Sequence, residues 1–168
     1  REVREVLLGL GIDEAMPNPF LAPDTLERAG LPTDALGITN PLVAEESVLR
    51  TSLRPGLLKA IAFNESHRRE GARLFEIGHV YPPAEGELPG EYEALTVVLA
   101  GREAPAAMTV WREVAAALGR FVVGVRESIE SLELRQARHG RIDADVGAVV
   151  VRVVVPRGGR GEAVGRQR

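Results

Sequence analysis

The chain has 168 residues, enough to bury roughly 70% of its extended surface around one core but not comfortably around two. Apolar residues make up 45% and charged residues 27%, which excludes wholesale disorder and a fibrous chain. A net charge of -3 excludes gripping a phosphate backbone by bulk electrostatics, and the absence of cysteine excludes disulfides, thiolate metal sites and a cysteine nucleophile.

At the N-terminus, Val3, Val6, Leu7 and Leu10 recur at the spacing of one helical face, with Arg1, Glu2, Arg4 and Glu5 on the other, and Gly9 and Gly11 end the pattern. The stretch from Ile12 to Phe20 reads as extended. Pro17 and Pro19 each remove a backbone donor there, so only an edge strand followed by an extended arm fits, and a partner could use that edge. Asp24 and Glu27 have capping-box spacing, predicting a short helix over Thr25 to Ala29 that Gly30 closes. Ala35 to Thr39 is a candidate brief strand before the turn dipeptide Asn40-Pro41.

The most informative stretch follows, from Asn40 to Tyr81. Pro55 stands where a helix tolerates proline, in its first turn, and Leu57, Leu58, Ile61 and Ala62 form an apolar stripe that Gly71 terminates. From Arg73 to Tyr81 apolar residues fall on both faces, Leu74 and Val80 on one and Phe75, Ile77 and Tyr81 on the other. That is the pattern of a central strand covered on both sides. A proline- and glycine-rich segment from Pro82 to Gly90 reads as a mobile loop, and Ala94 to Ala100 as a strand pairing antiparallel with the central one. Val110, Trp111, Val114, Ala115 and Leu118 mark a helix over Met108 to Leu118, ended by Gly119. Beyond it, Phe121 to Val125 and Leu132 to Arg135 are candidate strands, Arg141 to Asp145 and Ala148 to Val155 read as a hairpin turning at Val146-Gly147, and Arg157 to Arg168 as a disordered arginine- and glycine-rich tail.

Four runs in this order carry a resemblance: Asn40-Pro41-Leu42, Ser47-Val48-Leu49-Arg50-Thr51-Ser52-Leu53, Pro55-Gly56-Leu57-Leu58 and Arg73-Leu74-Phe75-Glu76-Ile77-Gly78. The stretch is similar to the catalytic-like module of phenylalanyl-tRNA synthetase beta subunits. The positions that carry the signature are Asn40, Pro41, Leu49, Arg50, Thr51, Pro55, Gly56, Phe75, Glu76 and Gly78. The resemblance implies an α+β fold, an antiparallel sheet flanked by helices as in class II aminoacyl-tRNA synthetases, over residues 1–155, followed by the tail 156–168. It also implies a non-catalytic scaffold that packs against an alpha subunit within a heterotetramer. ATP and magnesium then belong to the parent complex, tRNA is contacted only through that complex, and no cofactor is held by this module.

The chemistry of an adenylating enzyme is missing from the expected places. Class II catalytic modules hold ATP with an Arg-x-Glu strand and a later glycine-rich motif ending in arginine. Here the central strand runs into Val80-Tyr81-Pro82-Pro83, and proline offers a phosphate neither a cation nor a backbone donor. The late Pro156-Arg157-Gly158-Gly159-Arg160-Gly161 run has no helix to aim its arginines, and adenylate chemistry depends on positioned cations. The family's Gly-x-His-Pro-Gly-Arg-like loop is reduced to Ala137-Arg138-His139-Gly140-Arg141. His67, His79 and His139 lack metal-ligand spacing, and Ser47 and Ser52 lack a nucleophile context.

Arg50 and Glu76 are charges inside tightly patterned runs, where burial requires a partner, and an ion pair between them is expected beneath the loop. Two other functions compete with the scaffold: a small stand-alone class II paralogue that forms an aminoacyl adenylate, and a relative whose vestigial cleft binds an amino acid. No window approaches the roughly 20 apolar residues of a membrane span, and Arg1-Glu2-Val3-Arg4-Glu5 does not read as a signal peptide. A cytoplasmic protein without membrane contact is expected, and the start inside an amphipathic pattern reads as an excised piece of something longer.

Overall fold

A computed structural model describes residues 2–84, 90–101, 104–118, 126–138 and 141–155. In chain order the elements are α1 (Glu2–Gly9), β1 (Asp13–Glu14), β2 (Phe20–Leu21), α2 (Thr25–Arg28), a 3-10 turn (Ala44–Glu46), β3 (Val48–Leu49), α3 (Arg54–Ser66), β4 (Arg73–Val80), β5 (Tyr92–Ala100), α4 (Ala104–Leu118), β6 (Arg126–Arg138) and β7 (Arg141–Val155). Five of the strands form one sheet in the order β1, β4, β5, β7, β6, and β2 pairs with β3 in a second, small sheet. Every pairing is antiparallel except that of β1 with β4. This is the α+β architecture expected from the sequence.

The two-sided apolar pattern of β4 has the predicted consequence, because β4 is interior to the sheet and both of its faces are covered. Phe75, Leu95, Val97 and Leu99 point toward α1 and α4, where they meet Leu7, Ile12, Ala107, Val110 and Val114. On the opposite face Leu74, Val98 and Ala100 pack against Leu57 and Ile61 of α3, and Leu53, Val80 and Ala94 continue that layer. Helices therefore lie on both sides of the sheet, and each fully buried aliphatic or aromatic side chain contributes about 1.5–3 kcal/mol of transfer free energy. Gly71 at φ +69° precedes β4 and Gly101 at φ +61° follows β5, both in the left-handed region that glycine adopts without strain.

The edge strand and arm appear as expected, with β1 at the sheet margin, but three local readings are corrected. Asp24 does not cap α2: its backbone is already helical (φ -83°, ψ -8°), whereas a capping side chain needs an extended backbone to reach back, and its carboxylate meets Arg28 instead. Ala35 to Thr39 makes a single bridge, Gly37 to Val48, rather than a strand. β7 runs straight through Val146-Gly147, which pair with Leu134 and Glu133, and the chain reverses between Arg138 and Arg141. Ile142, Ala144, Val146, Ala148 and Val150 keep one period-2 alternation across that point, and Val-Gly lacks the residues a two-residue turn prefers. Helix α4 also begins earlier than Met108, since alanines and a proline in the first turn favour helix. Part of the loop after β4, the Phe121 to Val125 candidate and the 156–168 tail lie outside the described residues.

Candidate functional site

Four segments converge around β3 and the end of β4, and Leu49 and Arg50 of the signature are among the residues that join them. The arm from Met16 to Pro19 leads into β2, whose Phe20 and Leu21 face Leu49 and Val48 of β3. On the other side of β3, Leu49 donates its N–H to the Leu36 carbonyl at 2.9 Å and Ile38 donates to Ser47 at 2.8 Å. After β3 the chain turns at Thr51 and enters α3. Ser52, buried, accepts the Arg54 N–H on its hydroxyl at 3.2 Å, filling the capping role at the helix start. Replacing Ser52 with alanine is therefore expected to lower stability by about 1 kcal/mol in a urea melt, and an unchanged midpoint would show that the bond contributes nothing.

Arg50 and Glu76, expected to pair, are brought together. Arg50 Nη1 donates to Glu76 Oε1 at 2.6 Å and Arg50 Nε to the His79 carbonyl at 2.8 Å, with 7% of Arg50 and 3% of Glu76 exposed. Gly78 makes room for this. A Cβ there would stand 2.6 Å from Arg50 Nη2 and 2.9 Å from Glu76 Oε1, so any other residue would collide with the pair. Burial pushes the Glu76 carboxyl above the usual carboxylate range, and the nearby Arg50 charge and hydrogen bond draw it back only partly. Glu76 Oε2 is buried with no hydrogen-bond partner among the described residues.

The other signature positions each have a structural setting. Gly56 lies against the arm, since a Cβ there would come within 2.8 Å of Pro17 Cβ. Pro55 is buried in the first turn of α3, Phe75 is fully buried on β4, Leu49 is half-buried on β3, and Asn40 with Pro41 forms the turn that precedes the 3-10 segment. Arg54, not anticipated as a buried group, donates Nη2 to the Ala29 carbonyl and so ties α3 to the end of α2. Nothing in the run Ser52-Leu53-Arg54-Pro55 points to that partner, which lies 25 residues away.

The surface that these bonds hold in place is apolar. Met16 is 88% exposed, Leu42 is fully exposed, and Phe20, Leu36 and Val43 also face solvent, all on the arm, on β2 or on the segments flanking β3. Asn18 Nδ2 donates to Glu46 at 2.8 Å, which brings the arm against the 3-10 turn next to Val43. The sequence reading placed an available edge here but not this apolar character.

Nucleotide chemistry does not fit the end of β4. Val80 is buried, the Tyr81 N–H is taken by the Arg50 carbonyl at 2.9 Å, and the Pro82 carbonyl accepts the Gly90 N–H at 2.9 Å. Those groups present no cation and no free donor to a phosphate. His79 Nε2 lies 3.9 Å from a Glu91 carboxylate oxygen, and His67 Nδ1 sits 2.8 Å from the Phe63 carbonyl at the end of α3. Among the described residues no group of three or more acidic or histidine side chains could hold a metal. A cleft of about 260 Å³ between α1, α4 and the sheet is lined mainly by Leu10, Ile12, Leu99 and Val110, and it is smaller than an ordinary ligand pocket.

Comparison with known proteins shows the family. Residues 1–123 match the family model described as phenylalanyl tRNA synthetase beta chain CLM domain. The phenylalanine--tRNA ligase beta subunit of Dehalococcoides mccartyi strain CBDB1 is 36% identical over 134 residues, which is 78% of this chain and 16% of that protein. That of Geobacter sulfurreducens is 36% identical over 154 residues, 87% of this chain and 19% of its own length, so the chain spans less than a fifth of either relative. Among solved structures, pyrrolysyl-tRNA synthetase from Desulfitobacterium hafniense superposes with a TM-score of 0.64 over 91% of this chain and 64% of that one, at 14% identity. A likeness at that identity bears on the fold alone.

Proposed function

We propose that this chain, which belongs to the phenylalanyl-tRNA synthetase beta chain CLM domain family, is a non-catalytic scaffold and interface module that docks on the alpha subunit of a phenylalanine-tRNA ligase. The observation that carries the reading is the exposure of Met16, Phe20, Leu42 and Val43 on the arm, on β2 and on the segment before β3, next to a small sheet that Arg50 bonds to β4. Apolar side chains in contiguous segments are the usual mark of a protein interface. Arg50 and Arg54 are taken up by internal bonds, Arg50 with Glu76 and His79 and Arg54 with Ala29.

In this reading residues 1–155 are the module, the alpha subunit activates phenylalanine with ATP and magnesium, and two alpha-beta pairs form a heterotetramer. The module itself holds no nucleotide or metal and touches tRNA only as part of the complex. Among the described residues no helix is long and apolar enough to cross a membrane, and the place of action is the cytoplasm, where aminoacylation of tRNA occurs. The test is to co-express the full beta chain with its alpha subunit and carry Phe20→Asp and Leu42→Asp into the apolar surface. Loss of the complex on sedimentation is the expected result, and a complex of wild-type affinity would overturn the assignment. Phenylalanine-dependent pyrophosphate exchange by the beta chain alone would instead establish an enzyme.

A further inference from the structure

Arg50 bridges the small sheet and the end of β4. Its N–H donates to the Pro19 carbonyl at 3.1 Å, on the arm that enters β2, and its own carbonyl accepts the Tyr81 N–H at 2.9 Å, just past β4. Its side chain then lies along the edge of β4, bonded to the His79 carbonyl and to Glu76. One main-chain bond and two guanidinium bonds, diverging from one planar group, therefore run from this residue to β4 and its end. Lysine, a point charge with freely rotating donors, could not reproduce that fork.

Stability alone does not account for such an arrangement. A buried ion pair is often matched or exceeded in stability by apolar side chains of similar volume, and what it supplies that they cannot is direction. Directional bonding matters where an element must be presented in a fixed pose, and the small sheet held here carries Phe20 and is entered by the arm with Met16 and by the segment with Leu42 and Val43.

We propose that Arg50 is the positioning residue for partner binding, its guanidinium registering the small sheet on β4 so that the apolar surface meets the alpha subunit preorganised. Glu76 fixes the guanidinium and Gly78 keeps its place clear. This rests on the docking surface proposed above, and the experiment separates the two. Full beta chains are co-expressed with the alpha subunit, and both the melting midpoint and the dissociation constant of the alpha-beta complex are measured. Arg50→Met combined with Glu76→Leu is expected to keep the midpoint and to weaken binding on the order of tenfold, with Arg50→Lys between it and the wild type.

If Phe20→Asp with Leu42→Asp abolishes the complex while the double apolar variant binds like the wild type, the surface stands and the positioning role is overturned. If the aspartates leave affinity unchanged, the surface is elsewhere and the positioning role falls with it. Should the double variant melt early, Arg50→Lys carries the comparison, because it retains both charges and loses only the fork. Weakened binding with an intact midpoint there supports the proposal, and wild-type affinity overturns it.

Discussion

Replacing Glu76 with alanine is expected to remove about 3–5 kcal/mol of unfolding free energy, a large part of the 5–15 kcal/mol that holds a domain of this kind together. The substitution leaves Arg50 charged, 7% exposed, and bonded only to the His79 carbonyl along its guanidinium edge. The cost is that of an uncompensated buried charge, not the net worth of the pair. Arg50→Met with Glu76→Leu should for that reason recover most of it, and a double variant no more stable than the single one would contradict this account.

The same carboxyl gives a pH dependence whose sign can be stated. Burial raises its pKa in the folded chain above the unfolded value, so folding favours the protonated form. That contribution is complete below the ordinary glutamate pKa, where both states hold the proton, and it is lost as pH rises through the higher folded pKa. Glu76→Gln removes this titration and also the charge opposite Arg50, so the slope of the difference with pH is what is read, and relative to that variant the wild type should gain stability as pH is lowered from neutral into the mildly acidic range. A difference that stays flat, or grows toward neutral pH, would rule it out.

How far these features could be read in advance depended on whether their cause is local. The centre of the fold was legible because β4 carries apolar residues on both faces, and only a covered interior strand rewards that pattern. The Arg50 and Glu76 contact was legible for a related reason, since a charge set among buried neighbours must find its opposite. The capping role of Asp24 was misjudged because spacing says nothing of backbone angle, and its φ and ψ were already helical. The reversal at Val146-Gly147 was misplaced because a glycine between valines looks like a turn, whereas pairing with Glu133 across the ladder lets it remain in the strand. What could not be read at all was long-range geometry. That Gly56 must be bare because Pro17 crosses it, or that Arg54 reaches Ala29, depends on segments 39 and 25 residues apart.

Phe75→Ala should cost about 3–5 kcal/mol, comparable to the loss of Glu76 but by a different mechanism. Phe75 is fully buried on β4, opposite Val97, with its carbonyl accepting the Ala15 N–H at 2.8 Å beside the β1 pairing. Its ring lies in the layer shared by Leu7 and Ile12 below α1 and by Val110 and Val114 of α4, so truncation opens a void bounded by two helices and the sheet. Neither helix can close it alone, because α1 is tied to the sheet margin by Arg4, whose Nε bonds Glu14 at 2.8 Å, and α4 is seated on β5 by Val110 and Val114. Phe75→Leu keeps most of the volume and should cost less than about 1.5 kcal/mol. The check is a urea titration of all three chains. A lower midpoint at an unchanged slope is the expected outcome for alanine, and a loss below about 1 kcal/mol would mean that α1 collapses into the space and that the layer is less rigid than its burial implies.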